Sequence, residues 1–269
     1  MRASDRIDRA ALERHLAAAI REAGELALKT FRGPVKSWLK SGNSPVSDAD
    51  IAVDALLRQR LEAAGLGCGW LSEETEDDPA RLTAEHVWIV DPIDGTRAYL
   101  AGLPDWTISV ALAQAGRPIL AAIFAPVSGD LYLASAGGGA TCNDRPIRAT
   151  DGVSLAGARA AGPKRYLDGL TAIEPTLIAE PKVHSLALRL VWVAHGRLDV
   201  AFAGTNSHDW DLAAADLLVH EAHGALTTLA GDILIYNRPK PTHPALFAAG
   251  RSRHQALDEL MRAGQVAFR

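Results

Sequence analysis

The sequence predicts an α+β protein in which helices flank a central set of short, mainly antiparallel strands. Three observations carry this. Leu12, Leu16, Ala19, Ile20, Ala23 and Ala27 recur at helical spacing near the amino terminus. Alternating, β-rich runs occupy the middle of the chain, from Val87 to Cys142. Helical patterning then returns after Ser185.

Taken in order, the first helix is expected from Asp8 to about Phe31, ended by Gly33-Pro34. Ser47-Asp48-Ala49-Asp50 opens a second as a capping box with Asp in place of Glu, and Gly65 closes it. Trp70-Leu71 is a short strand. Val87–Val90 is another, ended at Asp91 by the Pro and Gly that follow. Ile108–Ala113 with Ile119–Phe124, and Leu131–Ala134 with Ala140–Cys142, read as strand pairs. Gly137-Gly138-Gly139 lacks the Lys-Ser/Thr of a phosphate loop, so it reads as a hairpin turn. Residues 162–180 are polar and turn-rich, and mark a boundary between an α+β part, 1–160, and a second αβ part, 161–269. Helices follow at Ser185–Ala194, at Asp209–Ala222 capped by Ser207, and from Ser252, with Gln255 completing a capping box.

Composition narrows the function. With 269 residues, 48% hydrophobic and 22% charged, the chain can bury a large core and is not disordered. A net charge of −4 without a basic run argues against a nucleic-acid surface. Two scattered cysteines, Cys68 and Cys142, suit a reducing compartment. The amino-terminal MRASDRIDRAALERHL has no apolar signal core, and no run is long enough to span a bilayer. The expectation is a cytoplasmic protein, with peripheral attachment at an inner membrane left open.

The chemistry concentrates in Asp91-Pro92-Ile93-Asp94-Gly95-Thr96. Pro92 keeps Asp91 extended, and Gly95 permits close backbone approach to an anion. Magnesium takes hard oxygen ligands at about 2.0–2.1 Å, so sparse carboxylates suit it. Two divalent ions roughly 3.5–4 Å apart can hold a phosphate and activate a water. Alone, such a segment makes an ordinary turn. Ser72-Glu73-Glu74 alone is a solvated acidic loop, and Asp211 alone is an acid favoured by a helix dipole.

Together they resemble something specific. Trp88 to Thr96 looks like the signature of the inositol monophosphatase superfamily, and Ser72-Glu73-Glu74 and Trp210-Asp211-Leu212-Ala213-Ala214-Ala215 look like its two companion motifs. The resemblance runs from about residue 10 to residue 250. It implies the layered αβαβα sandwich of the inositol monophosphatase/fructose-1,6-bisphosphatase type, two or three Mg2+ ions, lithium sensitivity and a homodimer. It implies one ion on Glu73, Asp91 and the Ile93 carbonyl, and a second on Asp91, Asp94 and Asp211. Gly95 and Thr96 would cradle the phosphate. Asp50 would pair with Thr96 to position the attacking water, and Lys40 would sit near the metals.

Within the superfamily, Ser44–Asp50 and Trp70–Thr75 are most similar to the CysQ-type 3′(2′),5′-bisphosphate nucleotidases. Their reaction converts adenosine 3′,5′-bisphosphate to AMP and phosphate in sulfur assimilation. Inositol phosphatases place a hydroxyl-binding Glu several residues before Trp-Asp; here Gly204 stands near that position. Lys164 and Arg165, with help from His184 or Arg189, are the candidate cations for a second phosphate. Inositol-1-monophosphatase and histidinol-phosphate phosphatase are the alternatives inside the superfamily. Outside it stand a zinc hydrolase built on His208, His220 and His223, and a regulatory protein that keeps the fold without the chemistry.

Overall fold

A computed structural model describes residues 8–40 and 44–266. The first seven residues, read above for a targeting signal, lie outside the described residues, as do 41–43 and 267–269.

Helix α1 is Arg9–Leu28, and Asp8 accepts from the Ala11 N–H at 3.0 Å to cap it. A small antiparallel ribbon, β1 (Ser37–Leu39) with β2 (Pro45–Ser47), leads into α2 (Asp48–Glu62). Seven strands then form one sheet in chain order: β3 (Gly69–Ser72), β4 (His86–Asp94), β5 (Thr107–Gln114), β6 (Arg117–Ala125), β7 (Asp130–Ser135), β8 (Gly139–Cys142) and β9 (Arg145–Pro146). Only the β3–β4 pair is parallel. A short helix, α3 (Thr96–Leu100), sits between β4 and β5. The triple glycine makes the β7–β8 hairpin, and the Glu221 carboxylate accepts from Gly137 and Gly139, each at 2.8 Å.

The rest of the chain comprises β10 (Arg159–Ala161), α4 (Lys164–Ile173), β11 (Ile178–Ala179), α5 (Leu186–Ala194), β12 (Val200–Ala203), β13 (Ser207–His208), α6 (Asp209–Glu221), β14 (Gly224–Thr228), β15 (Thr242–His243), β16 (Leu246–Gly250) and α7 (Arg251–Arg262). It builds a five-stranded sheet in the order β11-β10-β12-β16-β14, mixed in direction, and a β13–β15 ribbon.

Side-chain alternation stacks these elements into layers. Trp88, Val90, Val110 and Leu112 face α1 and α2, meeting Leu16, Ile20, Val53 and Leu57. The intervening Val87, Ile89, Ala111 and Ala113 point the other way, into a cluster with α5, α6 and the inner face of the second sheet. Its outer face, Val200, Phe202 and Phe247, packs on Tyr166 and Leu170 of α4 and Leu257 of α7. The result is the five-layer αβαβα sandwich.

Three local expectations need correction. The stretch 162–180 holds a helix, because Tyr166 and Leu170 lie one turn apart and are buried on one face despite its polar composition. The cap of α6 is His208, one residue after Ser207, whose hydroxyl donates back to the Gly204 carbonyl instead. Helix α7 starts at Arg251 after Gly250, and Gln255 bonds Glu259 along the helix rather than closing a capping box.

Gly24 on α1 lies where an added Cβ would overlap the Phe124 ring of β6. Helix propensity alone makes Gly→Ala favourable by about 0.5–1 kcal/mol. Here overpacking opposes it, so Gly24→Ala should lower unfolding free energy by about 1–3 kcal/mol in urea denaturation. A stabilised variant would contradict the close α1–β6 approach.

Candidate active site

The parallel β3–β4 pair sets up the first half of the site. Ser72 is in register with Val90, and the Glu73 N–H donates to the Val90 carbonyl at 3.2 Å. Glu73 therefore leaves its strand beside Asp91. Strand β4 does not stop at Asp91, as the Pro and Gly suggested; it runs on to Asp94 through a bulge. Asp91 pairs with Ser109 and Asp94 with Thr107, so one extra residue is accommodated on β4. Residues three apart on a regular strand face opposite ways; the bulge returns Asp94 to the side of Asp91. Gly95 then turns the chain at φ 94°, and a Cβ there would stand 3.2 Å from the Asp105 carbonyl and the Ser185 nitrogen. Only glycine is comfortable at that point.

Helix α6 delivers the second half. Its first turn is closed by Asp211, whose carboxylate accepts from the His208 N–H at 2.7 Å. Carboxylate oxygens of Asp91, Asp94 and Asp211 come within 4.8 Å of one another. They line a cleft of about 210 Å3 with Glu73, Gly95, Thr96, Lys182 and His184.

This is a costly arrangement of charge. Asp91 is 1% exposed, and its Oδ1 finds no hydrogen-bond partner among the described residues. Burial, then Glu73, Asp94 and Asp211, push its carboxyl well above the usual range. Asp211 is raised likewise by burial and by Asp94. Burial also raises Asp94, against hydrogen bonds from the Ser185 hydroxyl and the Ala187 N–H, both at 2.6 Å. Glu73 is pushed up to about 7, mainly by burial, with Lys40 opposing. Several hard oxygen donors with unsatisfied negative charge suit divalent cations. Glu73 lines the same cleft but stands outside the close trio; Lys40 lies 3.7 Å from its carboxylate.

Asp50 serves both purposes open to it. Its Oδ2 accepts from the Ser47 N–H at 2.8 Å and the Ser47 hydroxyl at 2.5 Å, closing the capping box. Its Oδ1 accepts from the Thr96 hydroxyl at 3.2 Å. Burial raises the Asp50 carboxyl, and these hydrogen bonds oppose the shift. Thr96 also donates to the Ile93 carbonyl at 3.1 Å, which draws that carbonyl into the same group. Lys40 pairs with Glu74 at 2.6 Å and donates to the Glu73 carbonyl at 3.1 Å.

Lys164 and Arg165 are not in this group. They lie at the start of α4 and line a separate cavity with Ile173 and Gln265, and Lys164 pairs with Asp168. The histidine trio does not assemble either. His220 is bound to Asp216 at 2.7 Å and His208 stacks on Trp210. Among the described residues the aspartate trio is the one close group of three metal-ligating side chains.

Two further side chains belong to the site: Ser185, which bonds Asp94, and Lys182, which lines the cleft. Ser185 caps α5 by accepting from the Leu188 N–H and simultaneously donates to Asp94, so it welds that helix start to the site. The cap was legible; its second partner, 91 positions away, was not.

A family model described as the inositol monophosphatase family matches residues 8–264. An inositol-1-monophosphatase of Rhizobium meliloti is 35% identical over 83% of this chain and 87% of its own length. A putative Nus factor SuhB of Neisseria meningitidis is 33% identical over 80% of this chain and 85% of its own. The crystal structure of extragenic suppressor protein suhB from Bartonella henselae superposes with a TM-score of 0.83 at 28% identity, covering 94% of this chain and 99% of that one. These relatives carry inositol-monophosphatase and SuhB names, not the bisphosphate nucleotidase name that the local motifs favoured. The chain belongs to the inositol monophosphatase family, whose members are metal-dependent phosphatases of phosphate monoesters.

Proposed function

We propose that this chain is a Mg2+-dependent phosphomonoesterase acting on a small phosphorylated alcohol, with an inositol monophosphate as the leading substrate class. The observation that carries this is the convergence of Asp91, Asp94 and Asp211 in one cleft, beside the Thr96–Asp50 pair. Glu73, Asp91 and the Ile93 carbonyl would hold one ion, and Asp91, Asp94 and Asp211 another. Bound Mg2+ would polarise the phosphate and make water a better nucleophile near neutral pH.

The protein's own groups do the positioning. Gly95, whose φ of 94° and packing against Asp105 and Ser185 leave no room for a side chain, would present its backbone to the phosphate. Thr96 Oγ1 accepts from the attacking water while donating to Asp50 Oδ1, which takes the proton. The raised Asp50 carboxyl strengthens it as a base. Ser185 and the Ala187 N–H hold Asp94 at a fixed angle. Catalysis then rests on orientation and electrostatics, as phosphoryl transfer demands. The two halves read from the sequence, 1–160 and 161–269, would each contribute: the first Glu73, Asp91 and Asp94, the second Asp211.

A cleft of about 210 Å3 is smaller than the ~300–1,000 Å3 typical of sites for drug-sized ligands, which favours a small ester. Lys164 and Arg165, two of the cations expected for a second phosphate, line another cavity, which weakens the bisphosphate reading, although His184 and Lys182 do line the cleft. The nucleotidase reading keeps two supports, the similarity of Ser44–Asp50 and Trp70–Thr75 to those enzymes and the glycine at 204 where inositol phosphatases place a glutamate. The name Nus factor belongs to those relatives; the net charge of −4 supports a small-molecule ligand here. No helix among the described residues is long and apolar enough to cross a membrane.

Three outcomes follow. Asp91→Asn should lower kcat/KM on the order of 10³-fold while leaving the circular dichroism spectrum unchanged; retained turnover would remove Asp91 from the centre. In the metal-free protein Glu73 binds its proton more tightly folded than unfolded. Its contribution therefore makes stability fall as pH rises from about 4.5 to about 7, by up to about 3 kcal/mol. Thermal melts should show a decline to which the raised aspartates of the site also contribute, Glu73→Gln should make it shallower, and Mg2+ should offset it above pH 7; a decline identical in Glu73→Gln would show that Glu73 is not one of its sources. A panel of inositol-1-phosphate, adenosine 3′,5′-bisphosphate, fructose-1,6-bisphosphate and histidinol phosphate should show highest kcat/KM for the inositol ester. Preference for the adenosine bisphosphate would reinstate the nucleotidase reading.

A further inference from the structure

The loop that carries Glu73 is tied down from one side by a buried carboxylate with no place in the reaction. Asp54 sits on α2, one turn beyond Asp50, and is 7% exposed. Its Oδ1 accepts from the Ser72 hydroxyl at 2.5 Å, and its Oδ2 accepts from the Thr75 hydroxyl at 2.6 Å. Ser72 and Thr75 flank Glu73 and Glu74. Both oxygens of one carboxylate therefore grip the two ends of the four-residue segment that presents a metal ligand.

Such lengths are those of charge-assisted O–H···O⁻ bonds, roughly twice as strong as neutral ones. Other bonds to this segment come from elsewhere. The Glu73 N–H bonds to Val90, and Lys40 bonds to the Glu73 carbonyl and the Glu74 carboxylate. The first two fix the backbone at Glu73 itself, while Lys40 holds the Glu74 carboxylate and lies 3.7 Å from that of Glu73. Asp54 bonds the side chains on both flanks, where the β3–β4 ladder holds only the Ser72 backbone, and it does so from the helix that also holds Asp50 against Thr96. A carboxylate buried beside other acids would add repulsion unless its position were useful.

We propose that Asp54 is a positioning residue for the metal centre: by clamping Ser72 and Thr75 it holds the Glu73 carboxylate toward Asp91, and so sets the affinity of the cation that Glu73 shares. This rests on the proposed metal chemistry and adds to it a residue that touches neither cation nor substrate. Partners that orient metal ligands typically matter by about 10–100-fold in affinity.

The test is calorimetric titration of Mn2+ into the metal-free, full-length protein, with Asp54→Asn, Glu73→Gln and the double variant. Asp54→Asn should weaken Mn2+ binding roughly tenfold, while kcat at saturating metal stays within about twofold of wild type. Because Asp54 acts through Glu73, the double variant should bind no more weakly than Glu73→Gln. Ser72→Ala and Thr75→Val, each removing one bond, should give smaller losses in the same direction. They decide the matter if Asp54→Asn does not fold. A variant set with lowered melting temperature and wild-type Mn2+ affinity, or fully additive losses in the double variant, would overturn the clamp alone. Wild-type protein that takes up no Mn2+ would overturn the proposed function and the clamp with it.

Discussion

Mutual repulsion among buried and half-buried carboxylates is the constraint that the rest of the structure answers. Asp91, Asp94 and Asp211 are held within 4.8 Å of one another, with Glu73 beside them, where water can stabilise them only weakly. Left to itself such a group would spread apart or take up protons. The fold prevents the first: Asp91 and Asp94 are locked on one strand, Asp211 on the first turn of a packed helix, and Glu73 next to the strand that carries Asp91. The electrostatic cost is then available to whatever cation relieves it.

Several devices share that task, and each is local chemistry used twice. The β4 bulge is an irregularity that turns Asp94 to the side of Asp91. Ser185 caps a helix and restrains Asp94 with the same hydroxyl. Asp50 closes the α2 capping box with one oxygen and receives Thr96 with the other. Asp211 caps α6 with a carboxylate that also faces the cleft. Ligand geometry is thus built from the same bonds that end helices and strands, which makes the site rigid without a dedicated scaffold.

How far this was legible in the sequence depends on range. The helix of residues 9–28, the capping box at Ser47 and the strands around Val90 follow from periodicity and short-range chemistry, so they could be read directly. The residues of the metal group were recognisable as a set only through their resemblance to a family; each one alone reads as a turn, a loop or a helix start. The bulge was not legible, because Pro92 and Gly95 signal an end to a strand more strongly than its continuation. The helix at Lys164–Ile173 was hidden by its exposed polar face; its two buried residues need the second sheet to give them meaning. Lys164 and Arg165 looked like phosphate ligands because charge is visible in a sequence and direction is not.

The account stands on cations relieving the charge of the aspartate group, and crystals grown with Mn2+ test that most directly. Anomalous scattering should place Mn2+ among Asp91, Asp94 and Asp211, with a second site on the Glu73 side of Asp91. Anomalous density confined to the histidines at 208, 220 and 223, or none within reach of Asp91 at saturating Mn2+, would contradict it.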